Sequence, residues 1–458
     1  MKYFLEPKSV AIIGISRRSG PGSYNLMENM IQYGYEGEIF PINPKANEIL
    51  GAKAYPSVND VGRKIDLAII TLPRDLVVKS VKECIGAGIK AIIVVTQGFG
   101  DADAQGRAFQ NEMVAAARRN GVRILGPNTL GVVNNFNRFT TSFMPLNREK
   151  APVGLICQSG IFFVGAAVFS GLIGKGIDIG NGCDLGFYEA LEYLGEDPET
   201  KIIAIHMEAL EHTEPFLSLA SRIVRKKAIV ALKTGKSKTG ARAAASHTGA
   251  MAGHYEIYRA AMKQAGLLVL DEDGQMNDAV KTLLYQPPLK GDRIAVITVT
   301  GAGGIMAIDA LEQHGLEMAA LSESTIRTLA DLSPEWLPIG NPLDIWPAVM
   351  KHGLKNVYQT VLESVSEDPN VDGILCMCIA PNLPDFDFLD VSHALNQVVP
   401  GKKEKPVAVW LYGPNVEEIA KRFEKKKNIL VHQTIEKAAW SLSLLRKRQL
   451  FLEKAQVQ

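Results

Sequence analysis

The chain has 458 residues, of which 47% are hydrophobic and 22% charged, with a formal net charge of +1. That length suits roughly three domains of ~150 residues, and the near-zero charge removes the electrostatic case for nucleic acid or an anionic membrane as a partner. No apolar run approaches the ~20 residues of a spanning helix, and the start from Met1 to Pro7 lacks the apolar core of a signal peptide, so a cytoplasmic protein is expected.

Taken in order, residues 9–15 form the first β-rich run, and 38–42, 66–72, 91–96 and 123–125 follow. Helical patterns sit between them, as at 75–84 and 105–119. Short apolar strands alternating with amphipathic helices predict a parallel sheet covered on both faces. Residues 134–151 are polar and irregular and read as a linker. The pattern then restarts with strands at 153–157, 201–207 and 228–233 and helices at 160–173, 215–224 and 255–264. A Pro-containing stretch at 286–292 marks the next boundary. Strands follow at 293–299, 373–379 and 406–411, and a long helix over 435–455 ends the chain. The expectation is an α/β protein of three domains, 1–137, 150–287 and 290–458.

Each domain opens with a strand, a Gly-bearing turn and a helix. The turns are Gly14 to Gly20, Gln158-Ser159-Gly160, and Gly301-Ala302-Gly303-Gly304. A helix N-terminus after each would favour a bound anion. A further stretch, 245–253, is read as a small-residue loop with His247 in its middle. An imidazole there can change charge or act as a nucleophile near neutral pH.

The first turn does not spell the dinucleotide fingerprint G-x-G-x-x-G. The second strand ends in Asn43-Pro44-Lys45, where an NAD site wants an acid. A lysine suits a ribose phosphate, and both coenzyme A and NADP carry one. Arg17 and Arg18 add positive charge beside the turn. Gln97-Gly98 and Gly126-Pro127-Asn128 end the fourth and fifth strands and are candidate walls of the ligand site. The five cysteines, Cys84, Cys157, Cys183, Cys376 and Cys378, are expected to be reduced and structural, and no metal site is expected.

Together these pieces resemble the α subunit of NDP-forming acyl-CoA synthetases, ADP-forming acetyl-CoA synthetase in particular, with succinyl-CoA synthetase a more distant relative. The resemblance runs over nearly the whole chain. It rests on residues 9–14, 41–45, 126–131, 158–160 and 246–249, and in the third domain on 302–304 and 341–344. It implies a Rossmann-like CoA-binding domain followed by two flavodoxin-like domains. Around CoA it implies Gly14, Ser16, Arg17, Gly20, Asn43, Lys45, Leu72, Pro73, Gln97, Gly98 and Asn128. It implies phosphorylation of His247, with Glu208 as its carboxylate partner. Phosphate would meet Gln158, Ser159 and Gly160, and Gly303 and Gly304. The sequence departs from the pattern at Ile161-Phe162-Phe163, where small residues are usual, at Gly186, where a second acid is common, and at Gly301, where Asn is usual.

The implied reaction interconverts acyl-CoA, NDP and phosphate with a carboxylic acid, NTP and CoA through acyl phosphate and phosphohistidine. No G-x-x-x-x-G-K-[ST] loop and no ATP-grasp segment is found. ATP or ADP, with Mg, is therefore expected on a separate ATP-grasp β subunit in a hetero-oligomer such as α2β2. Two alternatives remain at this stage. One is a CoA-binding regulatory or scaffold protein without turnover. The other is an NADP-dependent dehydrogenase, which the incomplete fingerprint disfavours.

Overall fold

A computed structural model describes residues 1–169, 171–210, 212–248, 255–382, 389–399 and 405–457, with side chains for all of these except 167, 168, 245–248, 456 and 457. They form two compact units, Met1–Val280 and Lys281–Gln458.

The first unit carries two large sheets. Strands β1 (Ser9–Ile13), β2 (Glu38–Ile42), β3 (Leu67–Ile70), β4 (Ala91–Val94) and β5 (Arg123–Leu125) are all parallel, in the order β2-β1-β3-β4-β5. Strands β1, β3 and β4 are buried at every position, as continuous Val, Ile and Ala runs demand in a sheet covered on both faces. The covering helix Arg74–Gly86 buries Val77, Val78, Val81 and Cys84. Its neighbour Ala104–Arg119 is started by Asp103, whose carboxylate accepts from the Gly106 N–H.

The second sheet contains β6 (Val132–Asn134), β7 (Phe139–Thr140), β8 (Val153–Cys157), β9 (Lys175–Asp178), β10 (Ile202–Met207), β11 (Ala228–Lys233) and β12 (Leu268–Leu270). The order is β12-β11-β10-β8-β9-β6-β7. The five strands from β8 to β12 are parallel, and β6 and β7 add an antiparallel edge.

The second unit holds β13 (Arg293–Thr298), β14 (Glu317–Met318), β15 (Leu343–Asp344), β16 (Gly373–Ile379), β17 (Val407–Tyr412) and β18 (Leu430–His432). The order is β14-β13-β16-β17-β18, with the short β15 beside the end of β13. The parallel core of each sheet thus has the same plan: its first strand lies between its second strand and a later one, β3, β10 or β16. Chain direction across the sheet reverses there, which opens a crevice at the carboxyl ends of the strands.

Three sequence expectations need correction. Residues 134–151 are not a linker. They include the β6–β7 edge, and Thr140, Thr141 and Ser142 are fully buried. The polar side chains of this region satisfy backbone groups: Asn29 donates to the carbonyls of Ser142 and Met144, and Asn135 to those of Asn147, Glu149 and Ile173. Polarity signalled hydrogen bonding inside the fold, not exposure.

The expected helix 160–173 is instead two short ones, Gly160–Val164 and Ala166–Phe169. They break at Gly165, where a Cβ would lie 2.7 Å from the Ile161 carbonyl and 2.8 Å from the Phe169 ring. Finally, helix Lys238–Thr248 runs through the first part of the expected 245–253 loop. Alanines are small, but they are also the best helix formers. The rest of that stretch lies outside the described residues.

Candidate active site

The loops at the carboxyl edge of the first sheet are locked to one another. Gly14 has φ +87°, and a Cβ there would sit 2.6 Å from Leu72 Cδ2, so the turn after β1 can press on the turn after β3 only as glycine. Asn43 Nδ2 donates to the Ile15 carbonyl at 2.9 Å, and Asn43 Oδ1 accepts from the Lys45 N–H at 2.9 Å. Ser16 Oγ accepts from the Arg18 N–H. Gly20 N–H donates to Glu28 Oε2 at 2.8 Å, and Asn25, which caps helix Leu26–Tyr33, donates to the Ser16 and Arg18 carbonyls. Arg74 reaches the Gly98 carbonyl at 3.0 Å, beside Pro73. Arg17 and Lys45 stand exposed at this rim. The structure therefore gathers the CoA candidates Gly14, Ser16, Arg17, Gly20, Asn43, Lys45, Leu72, Pro73, Gln97, Gly98 and Asn128 onto one sheet edge.

Gln97 and Asn128 also line a cleft of about 690 Å³, together with Thr129, Phe143, Gly160, Ile161, Val164 and Asp178. The cleft lies where the carboxyl edges of the two sheets of this unit face each other. Asn181 joins them: its Nδ2 donates to Asp101 Oδ1 at 2.7 Å, and Asp101 in turn accepts from the N–H groups of Gly98 and Phe99.

On the second sheet, Gln158 follows β8. It is buried, and its Oε1 accepts from the N–H groups of Glu208 and Ala209 at 2.9 and 3.0 Å. It thereby ties the turn after β8 to the turn after β10, and Glu208 is placed next to Ser159 and Gly160 by that tie. Lys233, the last residue of β11, is 2% exposed and donates to the carbonyls of Glu208 and Thr234, both at 2.6 Å. Burial lowers the Lys233 ammonium below its ordinary value, and the Glu208 charge opposes that.

Asp178 ends β9. It accepts from the Leu130 N–H at 2.8 Å and the Gly180 N–H at 3.3 Å. Burial pushes its carboxyl up to about 6 despite these bonds, and Glu208 adds to the shift. His206 is buried and stacked on Phe162, with ring centroids 3.8 Å apart, and its Nε2 meets Thr234 Oγ1 at 3.2 Å. Burial, then Lys233, depresses it to about 3, so it is a neutral core imidazole. His247 lies on helix Lys238–Thr248, and its side chain lies outside the described set.

In the other unit, Thr300 precedes helix Gly301–Gln313. Gly303 and Gly304 are buried: a Cβ would meet Met377 Cε at 2.1 Å on Gly303 and Pro342 at 3.1 Å on Gly304. The Gly304 N–H already donates to the Thr300 carbonyl. The exposed residues of this turn are Gly301 and Ala302.

Asp178 and Lys233 were not singled out from the sequence. Each is a charged residue closing a strand that is otherwise buried, and that was the available signal. All five cysteines are free, and four are buried. Among the described residues no helix is long and apolar enough to cross a membrane, and no group of three potential metal ligands occurs.

A CoA binding domain model matches residues 8–135, and a succinyl-CoA ligase like flavodoxin domain model matches 150–283. The α subunit of ADP-forming acetate–CoA ligase II from Pyrococcus furiosus is 33% identical over 449 residues, covering 96% of each chain.

The chain belongs to the ADP-forming acetate–CoA ligase family.

ADP-forming acetate–CoA ligase II of Archaeoglobus fulgidus is 37% identical over 83% of the chain, which spans only 58% of that relative's length. Among solved structures, dinucleotide forming acetyl-coenzyme A synthetase 1 of Candidatus Korarchaeum cryptofilum, in complex with phosphate and ADP, is similar with a TM-score of 0.88. It has 30% sequence identity, over 99% of this chain and 98% of that one. The first two sheets of this ligase-family chain are thus a CoA-binding domain and a succinyl-CoA ligase-like flavodoxin domain.

Proposed function

We propose that the chain is the CoA- and phosphohistidine-bearing half of an NDP-forming acyl-CoA synthetase. The observation that carries this reading is the single cleft in which CoA-rim residues Gln97 and Asn128 meet the helix beginning at Gly160, with Glu208 pinned beside that helix by Gln158 and Lys233.

In that cleft, phosphate attacks the thioester carbonyl, the C–S bond breaks and CoA leaves. The neutral imidazole of His247 then attacks the phosphorus of the acyl phosphate, and the carboxylate leaves. The Glu208 carboxylate stabilises the positive charge that develops on the ring. The N–H groups at the start of helix Gly160–Val164 favour the anions on either side of the step. The phosphoryl group passes on to NDP. That nucleotide and its Mg belong to an ATP-grasp β subunit, which gives an assembly such as α2β2 acting on a small carboxylic acid.

The test is labelled phosphate plus acyl-CoA with the purified chain. Acid-labile label should appear on the protein, His247→Asn should abolish it, and Glu208→Gln should sharply reduce it. Label that persists in His247→Asn, or that survives acid, rules out the phosphohistidine. CoA should also bind more tightly than dephospho-CoA, because Lys45 meets the extra phosphate.

A further inference from the structure

A second cavity, of about 290 Å³, lies in the first unit, and none of its lining residues lines the cleft. Gly186, Phe187, Tyr188 and Glu189, the start of the ten-residue helix Phe187–Glu196, form one wall. A helix leaves its first N–H groups without intrahelical partners, and a Ser, Thr, Asp or Asn side chain usually takes one of them. The capping residue here is Gly186, which has no side chain to offer. Among the described residues nothing accepts from the N–H groups of Phe187, Tyr188 and Glu189. The Gly186 N–H is served, by Glu189 Oε2 at 3.1 Å.

A second group points to the same ligand. Gln158 is only 8% exposed and also lines this cavity. Its Oε1 is spent on the Glu208 and Ala209 N–H groups, so the end left for the cavity is the Nε2 donor, which bonds to none of the described residues. The neighbouring acids are already engaged. Asp184 is held by Arg118 Nε at 2.8 Å and by Arg123 Nε and the Ile124 N–H, both at 2.9 Å. Arg123 Nη2 holds Glu189 Oε1 at 3.0 Å. Two arginines thus balance two carboxylates, and the helix N-terminus adds a partial positive charge that suits one further anion.

We infer that this cavity binds a small monocarboxylate, with its oxygens on the N–H groups at the helix start and on Gln158 Nε2. Its short carbon chain lies against Ile179, Ala209 and Pro215, which line the rest of the cavity. Ligand pockets run upward from about 300 Å³, so this one suits a short-chain acid and not a coenzyme. The inference stands apart from the proposed function, because it uses neither the cleft nor His247.

The test is calorimetric titration of the purified chain with butyrate, which should bind. Gly186→Asp supplies the chain's own carboxylate at the cap. The Gly186 backbone is extended, at φ −125° and ψ −158°, and a Cβ would meet nothing nearer than Glu189 Oε2 at 4.0 Å, so the variant folds. It should weaken butyrate by at least about tenfold, the scale of a charge-assisted hydrogen bond. Gly186→Ser completes a capping box with Glu189 without adding charge, and it should weaken butyrate too. Both variants should raise the thermal unfolding midpoint, which also shows that they are folded. A parent chain that binds no butyrate overturns the inference, as does undiminished binding in both variants. Inorganic phosphate that binds more tightly than butyrate overturns it as well. None of these results bears on CoA binding or on protein labelling, so the proposed function is tested separately.

Discussion

The turn after β8 and the turn after β13 occupy the same place in two sheets of the same plan, yet their surroundings differ. Around the first, buried ionisable groups converge: Asp178, His206 and Lys233, with Gln158 spending its side chain on the Glu208 backbone. Around the second, Thr298 and Thr300 bond to each other, and two glycines are pressed on Met377 and Pro342. Burying ionisable groups is unfavourable unless they are partnered, and packing a helix on a sheet does not require it. The second sheet therefore gathers buried ionisable groups that need partners, while the third-sheet turn is built for close packing and offers backbone N–H groups at its exposed end.

The largest test of this contrast is Lys233→Met. Two part-buried carbonyls would lose their donor, which costs about 2–4 kcal/mol. Glu208 would lose one of the two contacts that fix its backbone, the other being Gln158. A misplaced catalytic group can cost on the order of 100-fold, and protein phosphorylation should fall by that much while CoA affinity holds. Denaturant titration and the labelling assay read the two effects separately. A variant that loses stability but phosphorylates normally would make Lys233 a packing residue only.

The next test is a pH dependence with opposed signs. Asp178 is raised to about 6 from an ordinary value of 3.8, so between those limits the folded state holds the extra proton and stability falls as pH rises. His206 is lowered to about 3 from 6.5, so between those limits the unfolded state holds the extra proton and stability rises with pH. From about pH 4 to 6 the two slopes oppose each other, each up to roughly 1.4 kcal/mol per pH unit. Relative to the parent, Asp178→Asn should become more stable as pH rises through this window, and His206→Gln should become less stable. Denaturation midpoints measured from pH 4 to 6 check this. Parallel curves for parent and variants would show that the two groups are not titrating as their burial requires.

How much of this was legible in the sequence follows from the same physics. Strands such as Val153–Cys157, Ala228–Lys233 and Gly373–Ile379 were visible because a doubly covered strand is a continuous apolar run. The rim residues Gly14 and Asn43 were visible because turn chemistry is local. Lys233 and Asp178 were not, since their partners Glu208 and Leu130 lie 25 and 48 residues away and nothing local announces the pairing. The same holds for residues 134–151, whose polar side chains bond to distant carbonyls. Phe143 and Met144, the cleft wall opposite Ile161, sit in that stretch and were passed over with it.

The smallest test is Gly303→Ala, set against Gly160→Ala. On Gly303 a Cβ would lie 2.1 Å from Met377 Cε, 2.7 Å from its Sδ and 3.1 Å from Thr298 Oγ1. Overpacking of this kind typically costs about 1–3 kcal/mol. The methionine tip can partly yield, and alanine is favoured over glycine in a helix by up to ~1 kcal/mol, so the net loss should be near ~1 kcal/mol. On Gly160 the nearest atom to a Cβ is Leu130 Cδ1 at 3.0 Å, the end of a side chain that can give by a few tenths of an ångström. Stability there should change little, within about 0.5 kcal/mol as for substitutions away from the core. On the proposed function the added methyl narrows the cleft that Gly160 lines, so phosphorylation should fall. The contrast predicts a crossover: the third-sheet substitution is seen in thermal unfolding and not in CoA titration, while the second-sheet substitution is seen in labelling and not in unfolding. If Gly303→Ala leaves the unfolding curve unmoved and yet abolishes labelling, the third-sheet turn is itself part of the chemistry, as the phosphate site expected at Gly303 requires.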